Sequence, residues 1–257
     1  MVTGYFQKLR LFRRDVWLYL GVWSMMGFAY SGIFLVLFNL YLLRLGYGPE
    51  FVGLVSGVGL FALAFFAVPA GALGRRLGSR RMMIAGMGLI TIGFVALPLA
   101  EFLPSAWQVG WFLATWSLIS FSAPLFPVNS APFLMGITSA AERDYAFSMQ
   151  LALFSFAGFA GSLLAGFLPG LFSGILAVST DHPAPFRYSL FLAGVLFFAG
   201  LLMTLATREG QVDQAQGEKS KTAGTMPLML ITVMGVVMLL RATGEWAPNV
   251  FFNVYLE

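Results

Sequence analysis

Seven stretches of this chain hold no charged residue: 16–43, 51–74, 82–100, 102–141, 145–180, 188–207 and 222–240. Each is near or above the length that crosses a bilayer, since about 20 apolar residues in a helix span a ~30 Å hydrocarbon layer. Lipid offers no partner to backbone N–H and C=O groups, so a spanning segment must be a helix or a strand of a closed barrel. Barrel strands alternate polar and apolar residues with period two, and these stretches do not. The chain therefore reads as an all-α, multi-pass membrane protein.

Composition agrees with that reading. Charged residues make up 10% and apolar residues 59%, where a soluble domain carries about 25% charged. A surface so poor in charge suits lipid and not water. The 29 Gly fit as well, because Gly is commoner in membrane helices than in soluble ones. No Cys is present, which excludes a disulfide framework and thiolate metal sites. His182 is the only histidine, so no multi-histidine metal site is expected, and neither is a cofactor. The formal charge of +4 does not point to nucleic acid, because it is placed at helix ends, where it meets the membrane surface. Lys8, Arg10, Arg13 and Arg14 precede the uncharged run from Val16 to Leu43. That run is too long for the apolar core of a cleavable signal.

The runs 102–141 and 145–180 are long enough for helical hairpins, and charge placement discriminates. Cytoplasmic loops of membrane proteins collect Lys and Arg. With one helix per run and the N-terminus inside, Lys8, Arg10, Arg13, Arg14, Arg75, Arg76, Arg80, Arg81, Arg143, Arg208, Lys219 and Lys221 lie inside. Only Arg44 and Arg187 lie outside, a split of twelve to two. A hairpin in 102–141 alone lowers the split to nine against five. Hairpins in both runs restore the parity after residue 180, so the tally leaves nine spans open. The expected spans are 16–43, 51–73, 82–102, 107–135, 146–170, 187–207 and 227–256. Residues 1–207 would form a six-helix bundle and 208–226 a flexible polar cytoplasmic linker. Residues 227–257 would be the first helix of a second bundle.

The seventh span echoes the first. Phe38-Asn39-Leu40-Tyr41-Leu42 recurs as Phe252-Asn253-Val254-Tyr255-Leu256, and Val36 matches Val250 at the same offset. Both copies end an outward-running helix that follows a basic segment. Parallel repeats are common in transporters. A six-helix repeat predicts twelve helices, of which this chain would hold seven.

Between the second and third spans stands Gly71-Ala72-Leu73-Gly74-Arg75-Arg76-Leu77-Gly78-Ser79-Arg80-Arg81. It resembles the cytoplasmic loop signature of the major facilitator superfamily, roughly G-x-L-x-D-R-x-G-R-R, with Arg75 where the family usually has Asp. Glu142-Arg143 followed by Tyr145-Ala146-Phe147-Ser148 is similar to the family's E-R-x-x-A-F segment after helix four. Gly161-Ser162-Leu163-Leu164-Ala165-Gly166 resembles the antiporter motif of helix five, with Ser162 in place of its Pro and Ala165 in place of one Gly. The resemblance implies a transporter of a small-molecule solute working by alternating access between two six-helix bundles, without covalent chemistry. It also implies that this chain needs a missing C-terminal half to transport. The location would be the plasma membrane, a bacterial inner membrane, with the N-terminus cytoplasmic.

Several side chains are candidates for that work. Gly71, Arg75, Arg76, Gly78, Arg80 and Arg81 form a cytoplasmic gating loop or, equally, a basic rim on lipid phosphates. Gly158, Ser162, Gly166 and Gly170 recur every four residues, as helix-packing faces do. Pro124, Pro127 and Pro132 can bend the fourth span beside Asn129. In the seventh span Arg241, Glu245, Asn249 and Asn253 stand four apart, and Arg241 and Glu245 can pair at i, i+4. Ionisable residues inside a membrane are costly, and by default functional. With Asn39 and Asn129, these four make up the expected substrate or proton pathway, with Glu245 the carrier if protons couple. Two other readings compete: a non-transporting scaffold or assembly partner, in which the Arg–Glu pair only positions a helix, and an intramembrane enzyme, for which the spans lack catalytic carboxylates or His.

Overall fold

The computed structural model describes residues 12–208. Within them six helices are long and apolar enough to cross a membrane: α1 Arg14–Arg44, α2 Pro49–Leu77, α3 Ser79–Phe102, α4 Ser105–Ile137, α5 Ala140–Leu176 and α6 Ala184–Ala206. Each long uncharged run carries one span, which removes the double hairpin that the charge tally left open. The last expected span, 227–256, lies outside the described residues.

Local sequence sets the helix ends. Pro49 opens α2 in its first turn, where a missing N–H costs nothing. Gly78, at φ 95°, separates α2 from α3 in a single residue, a conformation that suits Gly because it carries no Cβ. α4 breaks between Ser122 and Leu125, with Pro124 starting its second half. Ser139 and Glu142 form a capping box at the start of α5, and the Ser139 N–H donates to Glu142 Oε2 at 2.9 Å. That helix is longer than expected: 37 residues, about 55 Å at 1.5 Å per residue.

The helices interleave across the two sequence halves of the bundle, α1–α3 and α4–α6. α1 packs on α5 and α6, α3 on α4 and α6, and α2 on α4. Phe34, Phe94 and Phe197 fill the centre, with ring centroids 4.6 Å apart for Phe34–Phe94 and 4.4 Å for Phe94–Phe197. The closest approach is between α1 and α5. Gly27–Phe34 of α1 is π-helical, and its glycines meet Gly158 and Gly161 of α5. A Cβ at Gly32 would fall 2.5 Å from Gly161 Cα, and one at Gly161 2.5 Å from the Phe28 carbonyl oxygen. Burial is uneven. The most apolar windows of α1 and α3 are each 56% buried, but those of α2 and α5 only 17% and 22%.

Candidate functional site

A cleft of about 690 Å³, counting the space at its open mouth, lies where α1, α2 and α4 meet. α1 contributes Tyr30, Phe34, Phe38 and Asn39, α2 contributes Ser56, Gly59 and Leu63, and α4 contributes Trp116 and Ser120. Spacing brings the α1 residues together: 30, 34 and 38 stand one turn apart, on one side of the helix. Phe34, Phe38 and Trp116 stack on one another at 4.7, 5.4 and 5.1 Å between centroids, with planes within 18°. A Cβ on Gly59 would collide with the Trp116 indole nitrogen, so the bare α2 backbone is what lets that ring lie flat. In the connection between α1 and α2, outside the cleft lining, burial pushes the Tyr47 hydroxyl above its ordinary pKa, and the hydroxyl donates to Gln108 Oε1 at 3.3 Å.

Of the expected pathway residues, Asn39 lines this cleft. Asn129 is not among the residues that line it. It is 2% exposed and donates to the carbonyls of Leu125 at 2.8 Å and Ala70 at 3.3 Å. Its amide fills the space left by Gly74, where any Cβ would overlap Asn129 Oδ1. Asn129 therefore pins α4 to α2 near the Gly78 end. The break at Pro124 separates it from the part of α4 that carries Trp116 and Ser120. Arg241, Glu245, Asn249 and Asn253 lie outside the described residues.

The basic segment differs from a loop. Gly71, Arg75 and Arg76 are in the last turns of α2, only Gly78 is a turn, and Arg80 and Arg81 open α3. Arg80 donates from Nε to the Thr207 carbonyl at 2.8 Å and from Nη2 to the Leu205 carbonyl at 2.9 Å. It thus caps the C-terminus of α6, where a cation is favoured. Beside it the Arg208 N–H donates to Asp15 Oδ1 at 2.9 Å, closing α6 onto α1. Arg75, Arg76 and Arg81 are exposed. Arg143 donates to the Met135 carbonyl at 3.1 Å and does for α4 what Arg80 does for α6.

The packing stripe on α5 is corrected as well. Gly158 is buried against α1, but among the described residues Gly166 and Gly170 have nothing within 4 Å of an added Cβ, and Ser162 donates to its own Phe159 carbonyl at 2.8 Å. The buried line is Gly158, Gly161, Ala165 and Leu168. A period of four drifts about 40° per step on a helix of 3.6 residues per turn. By Gly170 the expected stripe has turned about 120° from Gly158.

Three polar pairs escaped the sequence reading. Tyr19 of α1 donates to Gln150 of α5 at 2.6 Å inside the bundle. Neither residue is charged, so nothing marked them. At the Tyr47 end Arg187 pairs with Glu101 at 3.0 Å and Arg44 with Asp181 at 3.6 Å. These are the two arginines that counted against the charge tally, and each has an acid beside it. Among the described residues no three His, Asp or Glu side chains gather as metal ligands would.

A family profile described as Major Facilitator Superfamily matches residues 18–256. Among solved structures the chain is similar to a mutant of the peptide transporter POT in complex with sulfate, with TM-score 0.57 and 20% identity, covering 89% of this chain and 46% of that one. The same mutant in complex with alafosfalin gives TM-score 0.55 and 22% identity over 90% of this chain and 47% of that one. At such identities the likeness is one of fold. The chain spans about half the length of the transporters it matches. No curated protein matches it.

Proposed function

The chain belongs to the major facilitator superfamily, and from that premise we propose that it is one half of a secondary transporter that moves a small solute by alternating access. The observation that supports this best is the pairing of an open, mostly apolar cleft with two spanning helices, α2 and α5, that the bundle leaves largely uncovered. A second six-helix bundle docked on α2 and α5 would close the cavity, and rocking of the two would open it to each side in turn. In this reading Asn39 faces the solute, and Arg241, Glu245, Asn249 and Asn253, outside the described residues, would line the opposite wall.

Glu245 would carry the proton. Arg241 one turn away favours its charged form, while desolvation favours the neutral one. A carboxylate held between the two can load and release a proton as the cavity changes wetness. The Gly78 end is the cytoplasmic one in this reading, on the arginine excess there, and the bilayer is a bacterial inner membrane. Arg75, Arg76 and Arg81, exposed at that end, would meet the second half or lipid phosphates as the cavity closes.

Proteoliposomes with this chain alone should show no saturable, pH-gradient-driven uptake from a pool of neutral solutes read by mass spectrometry. Co-reconstitution with the five helices that would complete the second bundle should restore it, and Glu245→Gln in this chain should abolish it while insertion stays normal. Saturable uptake by the chain alone would overturn the half-cavity reading. Normal uptake by Glu245→Gln would make the Arg241–Glu245 pair structural.

A further inference from the structure

The two ends of the bundle treat their arginines differently. At the Tyr47 end Arg44 and Arg187 each stand beside an acid, Asp181 at 3.6 Å and Glu101 at 3.0 Å. At the Gly78 end Arg75 and Arg76, in the last turn of α2, and Arg81, in the first turn of α3, are exposed. Among the described residues none of these three has an acid within ion-pair distance. Two of the acids at that end are otherwise engaged: Asp15 accepts from the Arg208 N–H, and Glu142 is held in the capping box of α5. Arg80 is bonded to the carbonyls of α6. Three guanidinium groups are left around a turn of one residue.

Their depth points to the membrane. Side chains lean toward the N-terminus of their helix, and α2 ends here, so its arginines lean back toward the bilayer. Arg75 Nη1 stands 3.9 Å from where a Cβ on Gly71, one turn deeper, would be. Gly71 thus leaves the helix surface bare where the guanidinium lies. A cation turned toward lipid is costly unless an anion meets it, and anionic headgroups at the bilayer surface attract basic side chains there. Leu73, three residues before Arg76, and Leu77 are exposed and offer apolar surface to the chains below a headgroup.

The patch also crosses from α2 to α3. α3 is among the most buried spans, so a second bundle seated on α2 and α5 would cover one side of the patch. A leaflet of headgroups surrounds the whole end of the bundle.

We propose that Arg75, Arg76 and Arg81 hold the phosphate of an anionic phospholipid at the Gly78 turn, with its acyl chains against Leu73 and Leu77. The site does not depend on the transport reading.

The test uses the full chain in nanodiscs of equal parts phosphatidylglycerol and phosphatidylcholine at low salt. Native mass spectrometry counts the lipids that stay bound on release. The chain should retain phosphatidylglycerol about ten-fold over phosphatidylcholine, and the preference should fall with added salt, which screens exposed charges. Arg75→Gln, Arg76→Gln and Arg81→Gln should each lower it by up to about five-fold, the worth of one basic residue at an anionic surface. Together they should bring it to about one, and any one of them suffices if the triple variant is not monodisperse. Arg13→Gln with Arg14→Gln removes two exposed arginines at the start of α1 and should leave most of the preference. Glycerol 3-phosphate carries the phosphate without chains and should not displace the lipid. Equal retention of the two lipids would overturn the proposal and leave the patch to an acidic protein surface. An unchanged preference in the α2–α3 variants, or an equal loss in the α1 double variant, would make the attraction diffuse and remove the site. Displacement by glycerol 3-phosphate would overturn the lipid assignment in favour of a soluble anion.

Discussion

α1 meets α5 on one side and α2 with α4 on another, and glycine serves opposite ends on the two. Toward α5, Gly27, Gly32, Gly158 and Gly161 strip side chains from both helices, and backbone rests on backbone. Toward α2 and α4, Gly59 strips one side chain so that a large ring can lie down, and the helices stand apart around a cleft. The first contact is a seam with no slack, because atoms of the main chain cannot step aside singly. The second is built of side chains, which can. The π-helical turn Gly27–Phe34 belongs to both, with Gly27 and Gly32 on the seam and Tyr30 and Phe34 on the cleft. π-turns inside α-helices are rare and often mark functional sites. This one rotates the chain so that two faces of α1 do different work.

The largest expected effect tests the seam. Gly161→Leu puts a branched side chain where the Phe28 carbonyl and Gly32 Cα already stand within about a Cβ contact. Overpacking costs about 1–3 kcal/mol where side chains can adjust, and here none is present to do so. We expect the upper end of that range or beyond, seen as loss of monodisperse protein after mild heating in detergent. A variant that melts like the parent would show that the seam has slack, and the contrast between the two sides of α1 would fall.

Much of this architecture was legible because lipid makes few demands and makes them everywhere. A charge inside a span is costly, so charges marked the ends of all six described helices to within a few residues. One helix per run, which the charge tally favoured without excluding hairpins, is what the six described spans show. Side-chain partners were less legible. Asn129 and Asn39 are the same residue type in the same kind of span, and only the fold shows that Gly74 leaves room for one while the other reaches a cleft. Trp116 carried no signal at all, since an indole in an apolar helix is unremarkable until its ring is seen stacked on Phe34 and Phe38. The stripe of Gly158, Ser162, Gly166 and Gly170 failed on arithmetic, four being longer than 3.6. Arg241, Glu245, Asn249 and Asn253 share that spacing, so on a straight helix they too would wind through about 120°.

A middle-sized effect belongs to the cleft side. Gly59→Ala adds one methyl against the Trp116 indole. The ring is stacked on Phe34 and Phe38, so it cannot swing without disturbing them, but it is a side chain and it can shift. We expect a loss of about 1–2 kcal/mol, within the usual range for overpacking, and a folded protein with a changed tryptophan emission. A collapse as complete as that of Gly161→Leu would mean that both sides of α1 are equally rigid.

The smallest effect sharpens the comparison most. Gly166 lies five residues beyond Gly161 on the same helix, yet nothing among the described residues comes within 4 Å of a Cβ placed there. It sits among Leu163, Leu164 and Phe167, all exposed, on the face of α5 assigned to a second bundle under the transport reading. Gly166→Leu in this chain alone should change stability by no more than about 0.5 kcal/mol, as surface substitutions do, and replacing a helical Gly offsets part of any loss. In the chain co-reconstituted with a second half, the same leucine would stand between two helices and should weaken both association and uptake. Two measurements on one variant thus separate a lipid-facing glycine from a docking one. No effect in either state gives this face to lipid. A large effect in the chain alone would mean that α5 is already covered there.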